Sequence, residues 1–231
     1  MEQLPLGVRL RAASTIASFH AGPNRPIVAA LEARAAAPAQ APLFLWSSPG
    51  AGRTHLLQAT CARAAEHGRR AGYLPLAEAW PTPEMSAGLE QLDVLCLDDL
   101  GRVAGDAAWE RALFALYNEL AERGGNLVVS AHRAPAGLGI ALPDLASRLA
   151  AGIVFQLRPL DEAEQGAALR ARAQALGVEL PEETLQYLQR RLPREFAALC
   201  EALDRLDAAS LSHQRRLTVP FVRVALQLSG D

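Results

Sequence analysis

The chain has 231 residues, a mass of 24.7 kDa, a formal charge of −2 and a pI near 6.2. Half of its residues are apolar, enough to bury one large core, or a medium core and a small one. This balance excludes a protein held to DNA or anionic lipid mainly by bulk charge, and no run reaches the ~18–20 apolar residues of a membrane span.

Residues 1–10 form a short lead punctuated by Pro and Gly. It has neither a basic n-region nor an apolar h-region, so no signal peptide is expected and the cytoplasm is the expected location. Residues 27–37 predict a helix, stopped by Pro38 and Pro42. Leu43-Phe44-Leu45-Trp46 is fully apolar and reads as a buried strand. A Gly-rich turn and an Ala-rich helix from Thr54 to Glu66 follow, ended by Gly68. Gly72 to Leu76 predicts a second strand, and Val94 to Leu97 a third that ends in Asp98-Asp99. Asp106 can N-cap the next helix, whose apolar face is Trp109, Leu113, Leu116 and Leu120; Gly124-Gly125 stops it. Residues 127–130 and 153–157 predict strands four and five. Strands alternating with helices imply a parallel sheet covered on both faces. After Pro159 the pattern becomes helical, near 161–176, 181–191, 194–210 and 219–228, so a domain boundary is expected near residue 160. Cys61, Cys96 and Cys200 are odd in number and scattered, which argues against a disulfide framework and fits a reducing compartment. The five histidines show no ligand spacing.

Ser47-Ser48-Pro49-Gly50-Ala51-Gly52-Arg53-Thr54 sits between a strand and a helix, the context a P-loop requires. Backbone N–H groups of such a loop cradle phosphate oxygens, Gly50 and Gly52 permit close approach, and the Thr54 hydroxyl can meet Mg²⁺. Ser47 stands where the pattern has its first Gly, and Arg53 where it has Lys. The chain holds 46 alanines and no lysine, with all 23 basic residues Arg, which reads as genome-wide codon bias. Two explanations of Arg53 stand open. One is drift; the other is a site that holds nucleotide without hydrolysing it well, since Arg is no equivalent phosphate ligand. Asp93 to Asp99 is an apolar strand ending in two carboxylates, as in a Walker B. Asp98 is placed to hold Mg²⁺ through water, and Asp99 to orient an attacking water.

With Arg53-Thr54-His55-Leu56-Leu57 the chain resembles AAA+ ATPases of the DnaA clade, and within it the DnaA regulatory inactivators. The resemblance runs on through Leu142-Pro143-Asp144-Leu145-Ala146-Ser147-Arg148-Leu149, Leu203 to Asp207 and Leu217 to Val222, nearly the whole chain. It implies a five-stranded parallel αβα sandwich over 11–160 with a small all-α lid over 161–231. Pro49, Gly50, Ala51, Gly52, Arg53, Thr54 and His55 would then bind ADP or ATP, with Thr54 and Asp98 on Mg²⁺. Arg148 matches the box VII arginine, a finger acting on a neighbouring subunit's nucleotide. Arg194 matches the sensor 2 arginine, which contacts the phosphates of the chain's own nucleotide. Ser130 to Arg133 matches the sensor 1 region, where His132 replaces the usual Asp. Phe19, Gly22 and Asn24 resemble the box flanking the adenine. Gln3-Leu4-Pro5-Leu6, in the tail 1–10, resembles a peptide that binds the replication sliding clamp: Gln3 at a pocket rim, Leu4 and Leu6 inserted.

The implied function is a regulatory adaptor that, with the DNA-loaded clamp (the beta subunit of DNA polymerase III), stimulates ATP hydrolysis by DnaA and turns initiation off. The implied partners are DnaA, the clamp and, in a homo-oligomer, the chain itself, with no sequence-specific DNA binding and no membrane. Its own ATPase would be weak or absent, with Asp99 and Arg148 as the candidate catalytic residues. The alternative is a self-sufficient ATPase of helicase-loader type.

Overall fold

The computed structural model describes residues 14–39, 41–193, 195–213 and 217–227, with the side chains of 210–213 left aside. They form two compact units, one ending at Arg158 and one beginning at Pro159.

In the first unit, β1 (Leu43–Trp46), β2 (Ala71–Pro75), β3 (Val94–Asp98), β4 (Asn126–Ala131) and β5 (Ile153–Gln156) make one sheet in the order β2-β3-β4-β1-β5. Every pairing is parallel. Alternation along the strands sends successive side chains to opposite faces. Leu43, Leu45, Val94, Cys96 and Val128 pack with Ile27 and Leu31 of α1 (Arg25–Ala36) and Leu56 and Leu57 of α2 (Arg53–Glu66). Phe44, Leu95, Leu97, Leu127 and Val129 face the other way. They meet Trp109, Leu113, Leu116 and Leu120 of α3 (Ala107–Glu122), and Leu145 and Leu149 of α4 (Pro143–Ala150). Asp106 caps α3 as its sequence position predicts, accepting from the Ala108 and Trp109 N–H groups.

Two features depart from the sequence reading. The short helix α4 is absent from the run of predicted elements, because only Leu145 and Leu149 mark its apolar side. The sheet is also not covered at β5. This edge strand leaves Ile153 and Val154 exposed, whereas the opposite edge strand, β2, is packed by α2 and largely buried.

Chain order and spatial order diverge around β1. After β1 the chain crosses to the far edge at β2 and fills back through β3 and β4, then passes to β5 on the opposite side of β1. The carboxyl ends of β3, β4 and β1 are thereby adjacent, the usual place for a ligand in an open α/β sheet. Asn24 pins the end of this unit: its amide donates to the Arg158 carbonyl and accepts from the Arg158 N–H, both at 2.9 Å.

The second unit contains α5 (Glu162–Ala175), α6 (Glu182–Arg191), α7 (Phe196–His213) and α8 (Val219–Ala225). Asp161 and Glu164 form a reciprocal capping box at the start of α5. Leu169, Leu185, Leu188, Leu199, Leu203, Leu217 and Val222 make a separate apolar core. The Thr184 hydroxyl donates to the Leu217 carbonyl at 2.8 Å inside it. No helix among the described residues is long and apolar enough to cross a membrane.

Candidate functional site: a phosphate loop facing paired carboxylates

The loop after β1 begins with Ser47, buried, whose N–H continues the ladder to the Ala131 carbonyl at 3.2 Å. Ser48, Pro49 and Gly50 are exposed, and Ala51 and Gly52 partly so. Gly50 has φ +78° and Gly52 φ +102°, a backbone that L side chains rarely adopt. At Gly52 a Cβ would also lie 2.8 Å from the Phe19 ring. Gly52 offers no capping oxygen to α2, and the first turn of α2 carries no acid. A helix start with neither a capping side chain nor an acid in its first turn is a favourable setting for an anion.

Asp98 closes β3 with only 3% of its surface exposed. Burial of a carboxylate requires donors, and three hydroxyls supply them. Thr54 and Tyr73 donate to Oδ2 at 2.7 Å each, and Ser130, near the end of β4, donates to Oδ1. Burial first, and then the Asp98 charge, push the Tyr73 phenol well above its ordinary range, so it remains a donor. The Ser130 oxygen also accepts from the Asp99 N–H at 3.0 Å. Asp99 itself adopts the left-handed conformation (φ +57°, ψ +48°), unusual for a residue with a side chain. This turn swings its carboxylate toward Arg53, whose Nη2 lies 2.9 Å from Oδ1. Arg53 also donates to the Ser47 and Ser48 carbonyls, while its buried Nε has no partner among the described residues.

The geometry accommodates a magnesium nucleotide. Loop N–H groups and a helix N-terminus suit phosphate oxygens, and Thr54 with Asp98 is a hydroxyl–carboxylate pair of the kind that holds hydrated Mg²⁺. No cluster of three or more His, Cys, Asp or Glu occurs among the described residues. Mg²⁺ needs none, because water and phosphate complete its octahedron.

His55 meets the segment before α1, beside the Phe19 ring that lies against Gly52. Its Nε2 lies 2.9 Å from the Thr15 carbonyl, and its ring lies 5.6 Å from that of Phe19. It ties residues 15–19 against the start of α2. His132 is exposed beyond β4, and a Cβ on Gly101 would meet its ring at 2.7 Å. Arg148 lies near the end of α4, exposed, with its guanidinium carbon 5.8 Å from the Tyr117 ring centroid. Gln3, Leu4, Leu6 and Arg194 lie outside the described residues.

Sequence reasoning missed Tyr73 and Glu110. Tyr73 had one available signal, a phenol inside an apolar strand, where its polar tip needs a partner. Glu110 is 3% exposed and accepts from the N–H groups of Gly105, Ala141 and Leu142 at 2.7, 3.0 and 2.7 Å. Burial raises its carboxyl pKa, but the three donors outweigh this and hold it below the ordinary value. No local pattern announces it, because two of its partners lie about 30 residues on.

A five-stranded parallel sheet, a Gly-rich loop after β1 at the switch in strand order, paired carboxylates at the end of β3 (one strand removed, beyond β4) and a helical second unit define a P-loop α/β fold of the AAA+ class. Residues 10–156 match the family model of the bacterial DnaA ATPase domain, and residues 161–226 that of the Hda lid domain. The chain belongs to the Hda/DnaA-related AAA+ proteins. Domain III of the Thermotoga maritima replication initiation protein DnaA has the same fold, at TM-score 0.76 and 24% identity over 95% of this chain and 98% of that one. AMPPCP-bound DnaA from Aquifex aeolicus gives 0.71 and 23%, covering 90% and 70%. The Thermotoga maritima RuvB Holliday junction branch migration motor gives 0.61 and 18%, covering 81% and 61%.

Proposed function

We propose that this chain is a nucleotide-binding adaptor that stimulates ATP hydrolysis by DnaA in the presence of the DNA-loaded sliding clamp. The observation that carries the reading is the contrast between its two candidate catalytic groups. Asp99, which would orient water for the chain's own hydrolysis, is tied to Arg53 at 2.9 Å. Arg148 is exposed on α4, where a guanidinium can reach another subunit. In this reading the core binds ADP or ATP through Pro49 to Thr54, with Mg²⁺ at Thr54 and Asp98. The chain's own turnover is slow, because a carboxylate paired with Arg53 is a poor water-orienting group. Arg148 enters the active site of ATP-bound DnaA and stabilises charge on the transferring phosphoryl group. The tail residues Gln3, Leu4 and Leu6 dock on the clamp, which couples inactivation of DnaA to replication.

A reconstituted mixture of ATP-bound DnaA, clamp, DNA and this chain tests the reading. Hydrolysis should rise on adding the wild type and fall by about 10³-fold or more toward the basal rate with Arg148→Ala, the scale of a lost arginine finger. Undiminished hydrolysis with that variant sinks the finger assignment. Steady turnover by the chain alone, abolished by Asp99→Asn, would instead establish the self-sufficient ATPase.

A further inference from the structure

We infer that Tyr117 is a positioning residue for Arg148, and that α3 is the platform that presents this arginine to the partner. The inference deepens the reading of Arg148 as a finger acting in trans and rests on it.

Helix α4 has only eight residues, too few to hold its own conformation in water. Its orientation is set by what it docks on. Leu145 and Leu149 enter the core shared with α3. Its entry is tied by Glu110 of α3, which accepts from the N–H groups of Ala141 and Leu142. Leu142 is the N-cap residue of α4 and has no side-chain acceptor to offer, so the carboxylate that anchors this end comes from another helix. Seven residues after Glu110, two turns along and on the same side of α3, stands Tyr117. Its ring is largely buried, while Arg148 is exposed, with its guanidinium carbon 5.8 Å from the ring centroid. One helix thus fixes both the start of α4 and the side chain near its end.

The chemistry suits a finger. A free arginine samples many rotamers and must lose that freedom on reaching its target. A ring that attracts the cation restricts those rotamers before the partner arrives. A π-face binds the guanidinium without occupying a hydrogen-bond acceptor site, so the N–H donors stay available for two phosphate oxygens at once. Lysine could not use the arrangement in the same way, because an ammonium lacks the planar fork.

The test is the stimulated hydrolysis assay with DnaA-ATP, loaded clamp and the full chain, titrated for wild type, Tyr117→Leu, Tyr117→Phe and Arg148→Ala. Tyr117→Leu should lower the maximal rate by about three- to fivefold while leaving the half-saturating concentration unchanged. Tyr117→Phe, which keeps the ring face, should stay within about twofold of wild type. A full maximal rate with Tyr117→Leu overturns the inference while Arg148→Ala, inactive, keeps the finger reading intact. Equal losses in the Leu and Phe variants also overturn it, because the hydroxyl would then be what matters. Full activity of Arg148→Ala removes both. The wild-type protein gives a check that needs no folded Leu variant: the Arg148 Cδ protons should carry an upfield ring-current shift in the NMR spectrum. Ordinary shifts for those protons overturn the inference.

Discussion

The phosphate loop and the Arg148 surface are built on opposite plans. At the loop, a buried carboxylate is saturated by three hydroxyls from three different elements, and the neighbouring carboxylate is paired with Arg53. At Arg148 a charged side chain stands in solvent and rests on one ring. The first arrangement is closed on itself and favours a ligand that replaces existing partners. The second leaves a guanidinium exposed to solvent, as the proposed contact with another molecule requires. The difference separates residues that hold the fold from residues that the fold merely displays.

Substitutions should divide along that line. The largest loss of stability is expected for Asp98→Ala, which strands the Tyr73 and Ser130 hydroxyls in a buried setting. Each stranded donor costs roughly 1–3 kcal/mol, so a loss of about 3 kcal/mol should appear in denaturant unfolding, together with lost nucleotide affinity. Gly52→Ala should follow at about 2 kcal/mol, from backbone strain at φ +102° and the clash with Phe19. Loss of nucleotide binding in calorimetry should accompany it; tight binding by this variant would break the proposed role of the loop.

Glu110→Gln should cost about 1–2 kcal/mol at neutral pH, since a neutral amide accepts less strongly and turns a donor toward three N–H groups. The sign of its pH dependence follows from its depressed pKa. The Glu110 contribution is fully present above the ordinary carboxylate value of 4.5 and disappears as pH falls through the lower folded value. Wild type and variant should therefore converge in stability in acid, and a gap that widens there would contradict the assignment. The smallest stability effect belongs to Arg148→Ala, within about 0.5 kcal/mol of wild type in thermal unfolding, despite the largest proposed effect on DnaA. A large drop in melting temperature would mean that Arg148 holds the fold and would blur the distinction.

Much of this division is legible in the sequence. The apolar runs Leu43 to Trp46 and Val94 to Leu97 announce buried strands, because a parallel strand covered on both faces has no polar side to show. Asp106 announces a cap, and Gly50 and Gly52 a turn of positive φ, because each requirement is local. His55 is less legible. Its place beside Thr54 in sequence gives no sign of the Thr15 carbonyl and the Phe19 ring that it meets. The uncovered edge at β5 is also invisible, since Ile153-Val154-Phe155 has the composition of a buried strand and only the sheet order makes it an edge.

The alternation of strands and helices, the phosphate loop, the paired carboxylates and the family can all be read from the chain of residues. Each depends on residues close together in that chain, or on composition over a short run. Who partners whom is settled in three dimensions. The fold brings Tyr73 and Ser130 to Asp98, turns Asp99 onto Arg53, sets Glu110 under the start of α4, and lays Arg148 over Tyr117. Those partners are separated by some 25 to 46 residues. Their meeting follows from the order of strands in the sheet, which no local periodicity encodes.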